Sequence, residues 1–456
     1  MMLRRKMFDR LKEWKSRSHK SLLIKGQRQV GKTYIIREFA KSEYDDYIEI
    51  NFSKDKSIFK VFEGDLDVDV IINNLSIVKN KEIVPGKTLL FFDEIQECME
   101  AWASLKFFTI DGRYDVIASG SLLGVTIPHK NKSEIEPLLP VGYQEQFTMY
   151  SLDFEEFLWA NGVSEKTIDI LRNDIRNKEP INDIIYEKIR GLFKSFMIVG
   201  GMPESVDRFV NTGKYSESFN VMDTILAVSR NDMLRYNSGV NRVKTLECFD
   251  AIPSNLSQSN KRFMYSRIDG GGSRNSAEKY MGNILWIRDA GVANICYSLS
   301  QPSLPLKGNE IRDVFRLYLS DTGLLLHMFG PGAVEAVNDW DTSYNMGAIT
   351  ENIISECLVK CGFDLHYYRK NSGPDKMELD FVIETPAGCT VIEVKSGKDR
   401  TAPSINKVSK FHEIDEKIVF EDSNISADES GMLHLPFFVA AFMKEIYHNV
   451  GNSLFR

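Results

Sequence analysis

The sequence has no apolar run long enough to cross a membrane. Its longest, Leu433 to Met443, is interrupted and stops well short of the ~20 residues a bilayer span needs. Met1 to Lys20 is basic but has neither an apolar core nor a small-residue cleavage site, which argues against a secretory signal. The six cysteines (Cys98, Cys248, Cys296, Cys357, Cys361, Cys389) show no zinc-type pairing. Cys357 and Cys361 lie one helical turn apart with no Cys or His following at ligand spacing, so free thiols are expected. The seven histidines form no ligand-spaced pair, and no Ser-His-Asp arrangement is visible. Positive charge is not in excess either. The 57 Lys and Arg against 64 Asp and Glu leave a net charge of −7, so any contact with nucleic acid has to come from a local patch. There is no internal repeat and no low-complexity stretch. What remains is a chain expected to be cytoplasmic and free of membrane partners. Its 456 residues have room for roughly two to four domains.

The N-terminal third carries the clearest chemistry. Ser21 to Ile24 is a short apolar run, followed by Gly26-Gln27-Arg28-Gln29-Val30-Gly31-Lys32-Thr33 and then by the helical pattern Tyr34 to Ala40. Strand, glycine loop and helix in that order form the setting a phosphate-binding loop requires. Gly26 and Gly31 allow backbone N–H groups to turn inward around phosphate oxygens, and the following helix adds its positive end. Lys32 is expected to reach the terminal phosphates of ATP, and the Thr33 hydroxyl to ligate Mg²⁺.

A second strand is expected at Tyr47 to Asn51. The unbroken apolar run Thr88 to Phe92 then leads straight into Asp93-Glu94, as a central parallel strand covered on both faces would. At its carboxyl end, Asp93 is expected to hold Mg²⁺ through water and Glu94 to polarise the attacking water. A fourth strand, Tyr114 to Ala118, ends at Ser119-Gly120-Ser121. Ser119 there either senses the terminal phosphate or simply starts a loop. The units together predict a doubly wound α/β domain over residues 1–164.

These residues resemble the AAA+ branch of P-loop ATPases, which place an extra strand between those carrying the glycine loop and the acidic pair. More narrowly, the chain resembles a group of prokaryotic ATPases with poorly understood C-terminal domains. Further carriers of the likeness are Phe91 to Glu97, Ala118 to Gly124, Tyr150 to Ala160, Gly200-Gly-Met-Pro-Glu204 and Phe315 to Leu324. Many relatives have Gly-Arg where this chain has Gly142-Tyr143. If the family arginine acts on the nucleotide, Arg28, Arg113 and Arg230 are the candidates to replace it, and the sequence does not choose among them. The resemblance leaves oligomer formation open.

Residues 165–239 read as a helical lid or connector, with apolar positions three and four apart and a break at Gly200 to Pro203. Short helices and a strand pair, Ala293 to Ser298 with Phe315 to Leu319, suggest a winged helix-turn-helix over 240–335. Its basic residues Lys261, Arg262, Arg267 and Arg274, interleaved with Phe263 and Tyr265, are candidates to contact double-stranded DNA. The bland reading is a protein-binding surface.

In the last segment, 336–456, a helix from Met346 to Cys361 is followed by strands Leu365 to Tyr368, Glu378 to Ile383 and Thr390 to Lys395. Glu378 and Asp380 share one strand face, as do Glu393 and Lys395. If the hairpin register brings them together, Glu351, Asp380, Glu393 and Lys395 converge on a Mg²⁺-dependent phosphodiester site. That pattern resembles a restriction-endonuclease-like core. Two functions therefore stay open. One is an ATPase coupled to a DNA-facing, nuclease-like module; the other is an ATP-dependent switch that binds protein partners and cuts nothing.

Overall fold

A computed structural model describes residues 3–17, 20–120, 142–236, 241–265, 268, 276–341, 344–370, 376–397 and 401–448. The chain forms two compact units: Met2–Ser151 with Asp289–Gly291, and Leu152–Arg288 with Val292–Arg456. Among the described residues no helix is long and apolar enough to cross a membrane.

The N-terminal unit is built on a five-stranded parallel sheet of β1 (Ser21–Lys25), β2 (Asp46–Asn51), β3 (Thr88–Asp93), β4 (Val116–Gly120) and β5 (Gln144–Thr148). The order is β2-β3-β4-β1-β5, so β4 lies between the strand that feeds the glycine loop and the strand that carries the acidic pair. Every residue of β3 and β4 is buried, which explains why β3 reads as continuous apolar sequence. Phe92 is fixed edge-on by Phe52, Phe62 and Phe108, with centroids 5.9, 5.5 and 6.1 Å away. Each such contact contributes about 0.5–1.5 kcal/mol beyond area burial. This aromatic cluster immobilises the end of β3, where Asp93 begins. β5 escapes sequence reading because Gln-Glu-Gln-Phe-Thr is an edge strand with one buried residue, Phe147.

The C-terminal unit contains the helices Glu165–Asn177, Asp183–Val199, Pro203–Thr212 and Tyr215–Tyr236, in keeping with the helical reading of 165–239. It also contains an eight-stranded mixed sheet. Its strands are β6 (Ala293–Leu299), β7 (Glu310–Leu319), β8 (His366–Lys370), β9 (Met377–Thr385), β10 (Gly388–Lys395), β11 (Glu416–Glu421), β12 (Ser426–Ala427) and β13 (Leu433–Pro436), in the order β12-β13-β11-β10-β9-β8-β6-β7.

The β6–β7 hairpin was expected to be the wing of a separate module. Instead β6 pairs in parallel with β8, Tyr297 against His366, so the hairpin extends the same sheet that carries Asp380 and Glu393. Periodicity cannot reveal which edge a hairpin joins. The apolar stretch after Pro436 is a 3-10 segment Phe437–Phe442 followed by a short α-helix Met443–Ile446.

Two motifs of the family resemblance interlock here. Asp321 caps the helix Thr322–Phe329, and its carboxylate accepts the Gly201 N–H at 2.8 Å. Gly200 ends its helix at φ 68°, and a Cβ there would meet Asp321 Oδ1 at 2.2 Å. Gly323 faces it, with its own would-be Cβ 2.6 Å from Gly200 N. Glu356 closes the junction by accepting both the N–H and the hydroxyl of Thr322 at 2.7 Å. Backbone cannot yield as a flexible side chain can. Gly323→Ala is therefore expected to destabilise the C-terminal unit by about 1–3 kcal/mol. Gly191→Ala, in open space on the helix Asp183–Val199, should be neutral or gain up to ~1 kcal/mol. Urea midpoints of the two variants test the contrast, and equal midpoints would contradict it.

Candidate functional site

The glycine loop leaves β1 at Lys25 and enters the helix Lys32–Glu43. Gly26 is required on steric grounds, because a Cβ there would lie 2.1 Å from the Met149 carbonyl oxygen. The loop turns through left-handed Gln29 (φ 63°) and Gly31 (φ 93°), which aims successive N–H groups inward. Two of the Lys32 ammonium hydrogens are directed to loop carbonyls, Gly26 O at 2.7 Å and Gln27 O at 2.8 Å. Burial pulls the Lys32 pKa down to about 8. Arg28 acts in the same direction, and Glu94 and Asp93 oppose it.

The sheet register aligns Asn51 with Asp93 and Asp93 with Ser119. Asp93 is buried, and three neutral donors converge on its carboxylate. Asn51 Nδ2 donates at 2.9 Å, Ser119 Oγ at 2.5 Å and Thr33 Oγ1 at 3.3 Å to each oxygen. Glu94 follows in a left-handed conformation, φ 55°, and is half-buried. Thus Lys32, Thr33, Asp93, Glu94 and Ser119 come together at the carboxyl ends of adjacent strands. Of the candidate replacement arginines, Arg113 is paired with Asp111 and Asp69, and Arg230 with Asp250 in the other unit.

The residues expected to form a nuclease site meet on one face of the larger sheet, but they meet cations there. The register that pairs Ile392 with Phe381 sets Glu393 opposite Asp380, and Asp380 Oδ2 accepts the Val394 N–H at 2.9 Å. Glu351, on the buried helix Met346–Lys360, accepts from Lys261 and from the Tyr318 hydroxyl at 3.0 Å. Arg316 is wholly buried, stacked over Tyr367 at 4.2 Å. It is bonded to Glu378 and lies 3.6 Å from Glu351 and 4.0 Å from Asp380. Lys395 pairs with Glu393 at 2.6 Å, and Arg369 with Glu378 at 3.3 Å.

Four carboxyl groups, Glu351, Glu378, Asp380 and Glu393, are therefore matched by four cations, Lys261, Arg316, Arg369 and Lys395. Burial would lift the Glu351 carboxyl, but Lys261 and Arg316 outweigh it and hold it below its ordinary range. For Asp380 burial wins, with Glu351 adding to it, and pushes the group up to about 7. A donor set whose glutamates are already paired with cations does not fit a resident Mg²⁺. Among the described residues no group of three or more His, Cys, Asp or Glu is arranged to hold a metal.

Lys261, expected at a DNA surface, is thus a mostly buried partner of Glu351. Its position next to Arg262 and Phe263 in the sequence says nothing of the helix it meets 90 residues later. Arg262 is exposed, as expected of a contact residue. Arg267 and Arg274 lie outside the described residues.

Residues 18–158 match the family model for an AAA domain. Two further matches, over 190–335 and 346–438, are to domains of unknown function, DUF8612 and DUF4143. No curated protein matches the chain. Among solved structures, a Walker-type ATPase of Pyrococcus abyssi shows 13% identity over 72% of this chain and 96% of its own, with a TM-score of 0.41. AMPPCP-bound DnaA from Aquifex aeolicus shows 14% identity over 62% of this chain and 88% of its own, with a TM-score of 0.24. The Pif1 helicase of Candida albicans shows 16% identity over 41% of this chain and 47% of its own, again with a TM-score of 0.24.

The glycine loop and the acidic strand end also rely on residues that the sequence motifs do not mark. Buried Arg5 supports the glycine loop from below, donating to the Val30 carbonyl at 3.0 Å and to the Tyr150 carbonyl at 2.7 Å. Asn51 was read only as the end of a strand, and no local signal ties either residue to the loop. Because Lys32 has a pKa of about 8 and a bound polyphosphate favours its charged form, nucleotide binding takes up a proton above that pH. Affinity should be flat below about pH 8 and fall above it by up to about tenfold per pH unit. Titration with a fluorescent ATP analogue between pH 6.5 and 9.5 tests this. A flat profile to pH 9.5 would contradict it, and Lys32→Ala should lose the slope along with most of the affinity.

Proposed function

We propose that the chain binds ATP with Mg²⁺ in its AAA domain and hydrolyses it. Nucleotide state then governs a C-terminal unit that binds a protein partner and does not cut nucleic acid. The observation that carries the first part is the convergence of Thr33, Ser119 and Asn51 on the buried Asp93 carboxylate beside Lys32. A hydroxyl beside a buried carboxylate suits Mg²⁺, which takes oxygen donors and keeps part of its water shell. Thr33 would ligate the ion directly and Asp93 through water. When bound, Mg²⁺ neutralises charge on the phosphates. The loop N–H groups and Lys32 orient those phosphates, and Glu94 takes the proton of the attacking water. Ser119 serves this scheme by holding Asp93.

The second part rests on the matched charges around Glu351 and Asp380. Breaking a buried pair costs about 3–5 kcal/mol, which a weakly held metal would have to supply. The cross-strand placement of Asp380 and Glu393, with Lys395 beside them, is what favours the cleavage reading.

Turnover of ATP with Mg²⁺, with and without double-stranded DNA, separates the two. Glu94→Gln should keep nucleotide affinity and lower kcat by roughly 10²- to 10⁴-fold. DNA in the same tubes should stay whole. Strand breaks that disappear in Asp380→Ala would establish cleavage, and a Glu94→Gln variant with wild-type turnover would refute hydrolysis at this site.

A further inference from the structure

Glu94 opens the 3-10 turn Ile95–Glu97, in which Glu97 N bonds Glu94 O and Cys98 N bonds Ile95 O, each at 3.0 Å. The left-handed backbone at Glu94 is unfavourable for a residue with a Cβ, so this turn has to hold it. Two residues on, Gln96 is 5% exposed, and its Nε2 donates to Glu94 Oε2 at 2.5 Å. The amide has to face that way, because a carboxylate accepts and cannot donate. Its other end, Oε1, is buried with no hydrogen-bond partner among the described residues. A buried carbonyl left without a donor is destabilising. Such an orphan beside the expected catalytic base marks a place for a donor that arrives with substrate.

A water that attacks phosphate has two hydrogens. One goes to the base; the other needs an acceptor to fix the direction of the lone pair. We propose that Gln96 is the positioning residue of the hydrolytic step, its amide N–H orienting the Glu94 carboxylate and its carbonyl accepting the second hydrogen of the water. The inference rests on Glu94 acting as base, and it accounts for both ends of one buried amide.

The test uses the full chain with Mg²⁺ and ATP, Glu94→Gln being measured alongside. Gln96→Leu keeps the volume and removes both polar ends. Its kcat should fall roughly ten- to a hundredfold, with affinity for a fluorescent ATP analogue within about twofold of wild type. Gln96→Glu puts a second carboxyl against the first. The pair then shares a proton, and the acidic limb of the kcat profile should move up by about one pH unit or more. A side chain at position 96 that does not meet Glu94 would leave that limb in place. Wild-type kcat in Gln96→Leu, or an unshifted limb in Gln96→Glu, with Glu94→Gln inactive, overturns the role of Gln96 and leaves Glu94 standing. Wild-type turnover in Glu94→Gln removes both. Should Gln96→Leu fail to bind nucleotide, the pH profile of Gln96→Glu decides.

Discussion

The N-terminal unit is organised around one buried carboxylate, that of Asp93. An ionised acid taken out of water must find donors or take up a proton, and Asp93 finds three on three separate elements. Only a strand order with β4 next to β3 on one side and β2 on the other can bring Ser119 and Asn51 to its flanks in register. Only a glycine loop rising from β1, beyond β4, can bring Thr33 over the top. The phenylalanines around Phe92 hold the strand end still, and Arg5 holds the loop. Each can be read as support for the same few oxygen atoms.

The larger sheet shows the same physics with the opposite outcome. Asp93 is satisfied by neutral hydroxyl and amide donors, which leave its charge available to a cation. Glu351, Glu378 and Glu393 are paired with ammonium and guanidinium groups, which offset theirs, and Asp380 accepts a backbone N–H between them. Carboxylates on neighbouring strands therefore do not by themselves define a metal site; the character of their donors does. A neutral-donor set keeps its field for a ligand, whereas a counter-ion set spends it inside the fold.

What was legible in the sequence follows from this distinction. The glycine loop and the acidic strand end are local, with partners set by spacing along one element, and their strands and helix fall where the pattern puts them. Asn51 and Arg5 matter through register and tertiary contact, and neither has a neighbour in the sequence that reveals it. Lys261 misled because a lysine beside an arginine and aromatics looks the same whether it meets solvent or a buried Glu351. β11, with acidic residues at both ends, and β5, almost wholly polar, lack the alternation that identifies a strand. The hairpin read as a wing has the expected strands, but the edge it joins is a property of the sheet.

The motifs that carried the family likeness without any assignable chemistry gain a physical meaning of their own. Gly200-Gly201 and Asp321-Thr322-Gly323 are 120 positions apart, and their glycines permit a backbone approach that any Cβ would block. Asp321 and Glu356 then satisfy the N–H groups exposed at that crossing. Leu152, where the chain enters the C-terminal unit, is tied to the same junction. Its N–H bonds the Gly201 carbonyl at 2.7 Å, and its carbonyl accepts from the buried Lys360, itself paired with Glu356 at 2.7 Å. Close backbone crossings with buried charges at their centre tolerate little intermediate adjustment, because each partner lost leaves a polar group stranded. Such a junction moves as one piece or not at all. That rigidity lies at the point where the chain enters the unit.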